Sequence, residues 1–274
     1  MNPKQLAAPL LALLVTVQVL GQQPSMQQQP PGGQPAQARP TTVARFYSVM
    51  PKEGHAKQLE QGIKNHMAFH RQAGDKSEWQ VWTVETGPSV GGYVVGTLGH
   101  QWTGLEQMEL GPKDAADVEV NIAPHVQRVS SSIWLFRGDI SPGPEGKPSK
   151  FAQVTHYVLR PEGVQDFENV VKQINDAIGK VPAEQRGGPP PMLYQLFSGG
   201  EGPRLALVFS RNSWGDFAPR GTTVMQALQQ AFGNEKAQQI MQSGGKAIRY
   251  AETEILRHRP DLSSPVAGAS GGSQ

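Results

Sequence analysis

The stretch YSVMPKEG at residues 47–54 has a near copy, YVLRPEG, at residues 157–163. In each copy a proline lies four residues after a tyrosine, and a glutamate and a glycine precede a segment with helical spacing. Proline and glycine interrupt regular structure, so each copy predicts the end of a strand and the start of a helix. The repeated pattern predicts that one fold occurs twice in this chain.

A longer match extends this repeat. With Trp82 aligned on Tyr194, WTVETGPSVGGYVVGTLGHQW lies on YQLFSGGEGPRLALVFSRNSW without a gap. Each stretch predicts a strand, a glycine-rich turn and a second strand, which together form a hairpin. The other predicted elements are first strands at 45–50 and 154–159, each followed by a helix, second helical segments at 114–129 and 222–243, and last strands at 133–137 and 248–256.

The resulting order, β-α-β-β-α-β in each half, is that of the ferredoxin-like split βαβ unit. A sheet with helices on one face needs cover on the other, so two such halves are expected to pack sheet against sheet. The predicted fold class is α+β, with ferredoxin-like repeats at 41–141 and 149–262 that form an intramolecular, pseudo-dimeric α+β barrel. A Pro/Gly linker at 142–148 joins them.

The first residues predict export. A positive start, MNPK, precedes the apolar run LAAPLLALLVTVQVL and Gly21, a layout typical of a signal peptide at 1–21. A membrane anchor is less favoured, because the run is shorter than the ~20 residues that span a bilayer. We expect a secreted or periplasmic protein without a membrane span after cleavage between Gly21 and Arg39.

Composition limits the remaining classes. Residues 22–40, rich in Gln and Pro, and residues 263–274, rich in Gly and Ser, predict a disordered linker and tail. The chain has no cysteine, so it has no disulfide, no thiolate metal site and no lipobox cysteine. A formal net charge of +2 without basic clusters argues against a nucleic-acid partner.

Several of these stretches carry a family resemblance. The repeated Y-x-x-x-P pattern with its Glu-Gly, VWTVETGP at 81–88, the H-x-W at 100–102 and ILRHRPDLS at 255–263 resemble the NIPSNAP-like and antibiotic-biosynthesis-monooxygenase-like members of the dimeric α+β barrel superfamily. The resemblance implies two domains paired into a barrel, here within one chain as a tandem duplication. That superfamily includes oxygenases, haem-degrading enzymes, isomerases and domains without known activity, so the fold does not decide whether this protein is an enzyme.

The first helix of each half differs in an informative way. The second half carries an apolar stripe at helical spacing, formed by Phe167, Val170, Val171, Ile174 and Ile178. In the aligned first half, His66 falls on Ile174 and His70 falls on Ile178. These histidines are either core residues hydrogen-bonded to neighbours or a pair that binds a metal, a haem or an acidic ligand.

A metal site at this pair needs more ligands than the helix supplies. The sequence lacks the H-E-x-x-H pattern of a metalloprotease, and the distant candidates for further ligands are His100, Glu85 and Asp75. We therefore expect no resident cofactor, and we keep a haem or a divalent metal held by His66 and His70 as the alternative.

The resemblance also implies a pocket between the sheet and its helices. Haem-degrading relatives pair a helical histidine with a first-strand asparagine and a tryptophan, but the first strand here, RFYSVM, has no asparagine. That departure counts against haem degradation. On this strand Arg45 and Tyr47 share one face, and Arg45 is either a group that binds an anion or the exposed start of the strand.

The candidate ligand-binding residues are therefore His66, His70, Trp82, Arg45, Tyr47 and His100. The leading hypothesis is a small-ligand-binding or otherwise non-catalytic protein. Its pocket is expected in the first half and would hold a small hydrophobic or anionic molecule. The alternatives are a cofactor-independent monooxygenase or isomerase, in which a histidine acts as general base, and a cell-envelope interaction protein. Trp102 and Trp214 recur at the end of the third predicted strand, and this recurrence predicts a packing role.

Overall fold

The computed structural model of the protein describes residues 41–106 and 110–264. The predicted signal peptide, the Gln/Pro-rich linker and the tail beyond residue 264 lie outside these residues. The strands are β1 (Val43–Pro51), β2 (Gln80–Val84), β3 (Tyr93–His100), β4 (Val126–Phe136), β5 (Phe151–Leu159), β6 (Met192–Ser198), β7 (Arg204–Arg211) and β8 (Ile248–His258). The helices are α1 (Ala56–Gln72), α2 (Trp102–Glu106), α3 (Pro112–Asn121), α4 (Val164–Lys180), α5 (Val224–Phe232) and α6 (Asn234–Ala247).

The strands form one closed antiparallel barrel in the order β1-β3-β2-β8-β5-β7-β6-β4. Four neighbouring strands come from the first half of the chain and four from the second, and the pairs β2–β8 and β4–β6 join the two sets. The prediction of a mixed α+β fold is confirmed, with an eight-stranded antiparallel sheet. No helix among the described residues is long and apolar enough to cross a membrane.

Two predicted helical segments were wrong in extent. The segment 114–129 ends as a helix at Asn121, and β4 already begins at Val126 because β1 pairs with it along its whole length. The segment 222–243 is two helices, because Gly233 adopts a φ of 82° between α5 and α6. That left-handed conformation favours glycine and ends the first of the two helices.

The sheet has two apolar faces, as expected for a barrel with helices outside. Strand alternation directs Val81 toward α1 and the next residue, Trp82, into the barrel. The barrel interior is lined by an aromatic-rich cluster of Ala44, Trp82, Val84, Trp134, Phe136, Val154, Tyr194, Ala206 and Leu256. The outer face of the first half packs against α1 through a separate cluster that includes Val49, Leu59, Ile63, Met67 and Trp79.

The helix layer differs between the halves. In the first half the end of α3 lies directly on α1 at Gly62, where an added Cβ would lie 1.8 Å from the carbonyl oxygen of Asn121. In the second half α5 and α6 both pack on α4, and there Gly244 of α6 provides the close approach, to Val170. The contact at Gly62 sets how closely α3 approaches α1, and the candidate site lies between these two helices.

Two ion pairs cross between the halves at corresponding places. Arg259, just after β8, binds both carboxylate oxygens of Glu60 on α1, at 2.6 and 3.1 Å. Arg137, just after β4, binds Glu168 on α4 at 2.5 Å. The hydrogen bond from Arg259 holds the pKa of Glu60 below its ordinary value of 4.5, against the opposing effect of burial. These pairs fasten each first helix to the last strand of the other half.

Trp102 and Trp214 were expected to pack into the fold, and they do so only in part. They are 46% and 52% exposed. Trp102 contacts Phe197 edge-on, with ring centroids 4.8 Å apart, and Trp214 lies 4.9 Å from Phe151. Trp214 also contacts Phe217, with ring centroids 5.3 Å apart. Both tryptophans therefore cover aromatic neighbours and remain about half in solvent.

Candidate functional site

A cavity of about 520 Å³ lies between α1, α3 and the outer face of the first-half sheet. Most of its walls are apolar, and a few polar side chains converge on it. Its lining comprises Arg45, Tyr47, Val49, Leu59, Ile63, His66, Met67, His70, Trp79, Val95, Gly111, Asp114, Ala115, Val118, Ile122 and Val129. A mostly apolar cavity of this size with a few polar groups is typical of small-molecule sites.

His66 and His70 lie one turn apart on α1, on the side that meets α3 and the cavity. His70 is buried, with 4% of its surface exposed, and the His66 side chain is 14% exposed. Their Nε2 atoms are 3.1 Å apart and the two rings are nearly perpendicular. Both histidines lie where the second half has isoleucines.

Each imidazole is held through its Nδ1 by a carboxylate. His66 Nδ1 lies 2.7 Å from Asp117 Oδ2 of α3, and His70 Nδ1 lies 2.7 Å from Asp75 Oδ2. The Asp75 side chain is only 3% exposed, and it also accepts hydrogen bonds from the Trp79 indole and the Ser77 backbone. Although burial raises the pKa of Asp75, these donors outweigh it and hold that pKa below its ordinary value.

A third carboxylate approaches the free side of both rings. Asp114 Oδ1 lies 3.3 Å from His70 Nε2 and 3.7 Å from His66 Nε2. This oxygen is buried, and among the described residues it has no hydrogen-bond partner. His66, His70 and Asp114 form a three-residue group whose ligand atoms lie close enough together to hold a metal ion.

Arg45 and Tyr47 of β1 line the same cavity from the sheet side. The idea that Arg45 marks an exposed strand start was wrong, because its side chain is only partly exposed and its Nε is buried. That Nε has no hydrogen-bond partner within the described part of the chain. The Arg45 guanidinium lies 5.0 Å from the Tyr47 ring centroid, so the two side chains form one polar wall.

Three other residues named from the sequence lie elsewhere. Trp82 points into the barrel, because strand alternation reverses its direction relative to Val81, and Trp79 takes the place beside His70 with ring centroids 5.2 Å apart. Glu85 forms a bidentate ion pair with Arg257. His100 lines neither of the two cavities described here, and burial lowers its pKa, with smaller opposing effects of Glu145 and Asp75.

Sequence reasoning missed Asp114 and Asp117. They stand three residues apart in a segment predicted as helical, which places them on one face of α3. That D-x-x-D spacing, opposite the two histidines on α1, was the available signal. Asp75 was named as a metal ligand, but the structure places it against Nδ1 of His70, so it orients the ring and does not face the free Nε2 atoms.

A second cavity, of about 510 Å³, occupies the barrel interior. Trp82 and Tyr194, the residues on which the two halves align, both line it. On its polar side His156 Nε2 lies 3.3 Å from Glu254. It is separate from the cavity beside α1, because the sheet of the first half stands between them.

Comparison with solved structures identifies the fold. A candidate monooxygenase from Fusobacterium nucleatum superposes with a TM-score of 0.51 at 10% identity, covering 80% of this chain and 92% of that one. A candidate monooxygenase from Lactobacillus acidophilus gives 0.47 at 8%, with 80% and 94% covered. A candidate chlorite dismutase gives 0.49 at 11%, with 81% and 98% covered.

The chain shares its overall fold with the Fusobacterium nucleatum protein. At such low identity the similarity concerns the fold alone. No protein-family model matches the sequence, and no curated protein matches it. The more specific resemblance to NIPSNAP-like proteins stays a prediction.

Proposed function

We propose that the protein is exported and binds a small molecule in the cavity between α1, α3 and the first-half sheet. The observation that carries this proposal is a mostly apolar cavity of about 520 Å³ lined by Arg45 and Asp114. Each of these residues has a buried polar atom, Nε and Oδ1, that lacks a hydrogen-bond partner among the described residues. Buried polar atoms are normally hydrogen-bonded, so unpartnered ones at a cavity wall favour a ligand that satisfies them. The ligand we expect has an apolar body and an anionic or oxygen-bearing group.

The test uses an apolar anion, 1-anilinonaphthalene-8-sulfonate, whose fluorescence rises in apolar sites. Val95 of β3 lines the cavity beside α1, and Val208 of β7 lines the barrel cavity. We expect Val95→Phe to fill the first cavity and weaken probe binding at least tenfold, while the matched Val208→Phe leaves it unchanged. The opposite pattern would place the ligand in the barrel and contradict the proposal.

Arg45→Met keeps the apolar stem and removes the charge. Since hydrogen bonds to charged groups contribute about 1.5–3 kcal/mol, the sulfonate probe should bind roughly tenfold more weakly or worse. The uncharged parent dye, N-phenyl-1-naphthylamine, should be affected much less. Equal loss for both dyes would mean that Arg45 supports the cavity walls and does not bind the anion.

A second candidate is a cofactor-independent monooxygenase- or isomerase-like enzyme. It is favoured by the His70–Asp75 contact of 2.7 Å beside the cavity, because a carboxylate-oriented imidazole is a suitable general base. In such an enzyme His70→Gln would abolish turnover of a bound substrate while leaving its affinity nearly unchanged. If His70→Gln instead weakened ligand binding and had no further effect on turnover, the result would favour a binding protein over an enzyme.

We also propose that the two halves form a duplicated, pseudo-dimeric pair. Supporting this are the equal lengths of α1 and α4, 17 residues each, and the reciprocal pairs Arg259–Glu60 and Arg137–Glu168. If this is right, residues 41–141 expressed alone should self-associate through the open edges of their sheet. A stable monomer of that fragment would contradict it.

A further inference from the structure

Three acceptor atoms meet between α1 and α3. His66 Nε2, His70 Nε2 and Asp114 Oδ1 are separated by 3.1, 3.3 and 3.7 Å. A carboxylate accepts hydrogen bonds, so the proton of each imidazole lies on the Nδ1 that faces Asp117 or Asp75. In a neutral imidazole this leaves Nε2 unprotonated, with a lone pair that can accept a hydrogen bond or bind a metal. Two lone pairs and a carboxylate oxygen therefore face one another, an arrangement that requires a cation.

One extra proton on these rings would leave one of the three atoms without a partner. If His70 were an imidazolium, its Nε2 proton could bridge to His66, but Asp114 Oδ1 would still be buried without a hydrogen bond among the described residues. The Asp114 oxygen lies 3.3 Å from His70 Nε2 yet outside hydrogen-bonding geometry. A metal ion at the centre of the triangle would satisfy all three atoms at once.

We propose that His66, His70 and Asp114 bind a divalent transition-metal ion, with Zn²⁺ as the ion they fit best. Bonds of about 2.0–2.1 Å at tetrahedral angles place ligand atoms roughly 3.3 Å apart, close to the three observed separations. Two imidazoles and one carboxylate suit Zn²⁺, whereas Mg²⁺ and Ca²⁺ take oxygen ligands. The inference rests on the proposed small-molecule site, because all three ligands line the same cavity.

The groups behind the ligands fit a metal centre as well. Histidine ligands of metals commonly donate their other ring N–H to a carboxylate, which fixes the tautomer and strengthens the ligand. Asp117 and Asp75 make this contact at 2.7 Å each. The arrangement fits a haem poorly, because a haem iron needs an imidazole nitrogen facing an open space as wide as the porphyrin, and here the two Nε2 atoms face each other.

Three protein ligands would leave a fourth tetrahedral position on the metal, and all three ligands line the cavity. Sites of this kind bind a water or a substrate at that position, whereas structural zinc sites use four protein ligands. Arg45 lies on the sheet side of the same cavity. The ligand class is therefore a small apolar molecule with a carboxylate, enolate or similar oxygen that can reach the metal.

The experiment titrates Zn²⁺ into the full chain, purified without a histidine tag and treated with a chelator, by calorimetry. We expect one equivalent of zinc. Asp114→Asn, an isosteric change of a partly exposed side chain, should weaken binding by more than roughly 100-fold, the upper end of the effect of losing an outer-shell partner. Asp117→Ala should weaken it by roughly 10–100-fold. Mg²⁺ should not compete.

The chain contains its own matched control. His55 and His125 form another pair, with Nδ1 atoms 3.1 Å apart, but the described residues provide no carboxylate that completes it to a three-ligand group. His55→Asn/His125→Asn should leave zinc binding unchanged. The metal site would be overturned if the wild-type protein took up no zinc, or if it bound zinc no more tightly than Asp114→Asn. It would also be overturned if zinc binding were lost only in the His55→Asn/His125→Asn variant.

The fluorescent probe separates this proposal from the proposed function. If chelator-treated protein binds 1-anilinonaphthalene-8-sulfonate in a manner blocked by Val95→Phe, yet takes up no zinc, the metal site is wrong and the small-molecule site stands. If zinc binds with the expected variant pattern while Val95→Phe has no effect on the probe, the metal site stands and the small-molecule site is wrong.

Co²⁺ should bind in place of Zn²⁺ with the intense visible absorption of a tetrahedral ion, and a weak octahedral spectrum would contradict the assigned geometry.

Discussion

The helices α1 and α4 are the same length and occupy corresponding places outside the barrel, but they are covered in opposite ways. On α4, Ile174 and Ile178 pack under α5 and α6 in an apolar cluster with Ala227 and Leu228. On α1 the same positions are His66 and His70, which meet carboxylates of α3. One backbone arrangement therefore carries either a packed core or a polar centre beside a cavity.

The difference shows what a polar centre requires. Replacing two aliphatic residues by histidines gives up apolar burial and leaves buried polar atoms that need partners. In the first half, Asp117 and Asp75 bind Nδ1 of the two rings, and a cavity lies between α3 and the sheet. The second half has an apolar cluster at this place, with Ile174 and Ile178 packed against it.

The largest effect is expected from removing the buried carboxylate on which the polar centre depends. Asp75→Ala leaves the Trp79 indole, the His70 ring and the Ser77 backbone without their acceptor. Each of these three lost acceptors costs about 1–3 kcal/mol, so we expect a total loss of at least about 3 kcal/mol in the free energy of unfolding. Denaturant unfolding with a chelator present measures this without any contribution from metal.

The control for that prediction lies on α4. Asp176 of α4 is exposed and pairs with the exposed Lys180, so Asp176→Ala should change the free energy of unfolding by less than about 1 kcal/mol. If Asp75→Ala were equally mild, the contacts of Asp75 would contribute little, and the contrast between the two helices would not depend on carboxylate partners.

A smaller loss of stability is expected when the two histidines of α1 are introduced at the corresponding positions of α4. Ile174→His/Ile178→His places two imidazoles in an apolar cluster that has no carboxylate corresponding to Asp75. Both positions are only partly buried, so the expected loss is roughly 2–4 kcal/mol, from lost aliphatic packing and unpaired polar atoms. Thermal and denaturant unfolding would measure it. A neutral double variant would mean that histidines are tolerated at this place without partners.

The smallest effects are expected where the two halves are alike. Glu60→Gln and Glu168→Gln each weaken one of the reciprocal arginine pairs, and each should cost about 1–2 kcal/mol at pH 7. Because the pKa of Glu60 is lowered, its contribution is present above the ordinary value of 4.5 and is lost as the pH falls through the lowered value. The stability difference between wild type and Glu60→Gln should therefore shrink below pH 4.5.

Unequal costs at pH 7 would weaken the idea that the two pairs are equivalent. A difference for Glu60→Gln that stays constant down to low pH would show that the lost contact is not an ionic one. Both results come from denaturant unfolding measured across the acid range.

Much of the fold was readable from local pattern. Tyr47 and Tyr157, each followed by proline, marked the same strand exit, and the alternation of β1 correctly placed Arg45 and Tyr47 on one face. Hydrophobic period and turn residues are local properties, so they predict strands, helices and faces. The sequence pattern did not predict where α3 ends or that the second-half helix breaks at Gly233, because β1 pairing and helix packing decide these limits.

The amino-acid pattern alone was sufficient for a mixed α+β fold and for the two histidines that interrupt an apolar stripe. Only the tertiary structure decided which groups those histidines meet. Asp117 is 51 residues away from His66 in the chain, and the approach of α3 to α1 at Gly62 brings them within 2.7 Å. Spacing along a helix orders side chains within that helix, but the distance between side chains of two helices depends on how closely their backbones pack. For this reason the approach of Asp114 and Asp117 to the two histidines does not follow from residue spacing within either helix.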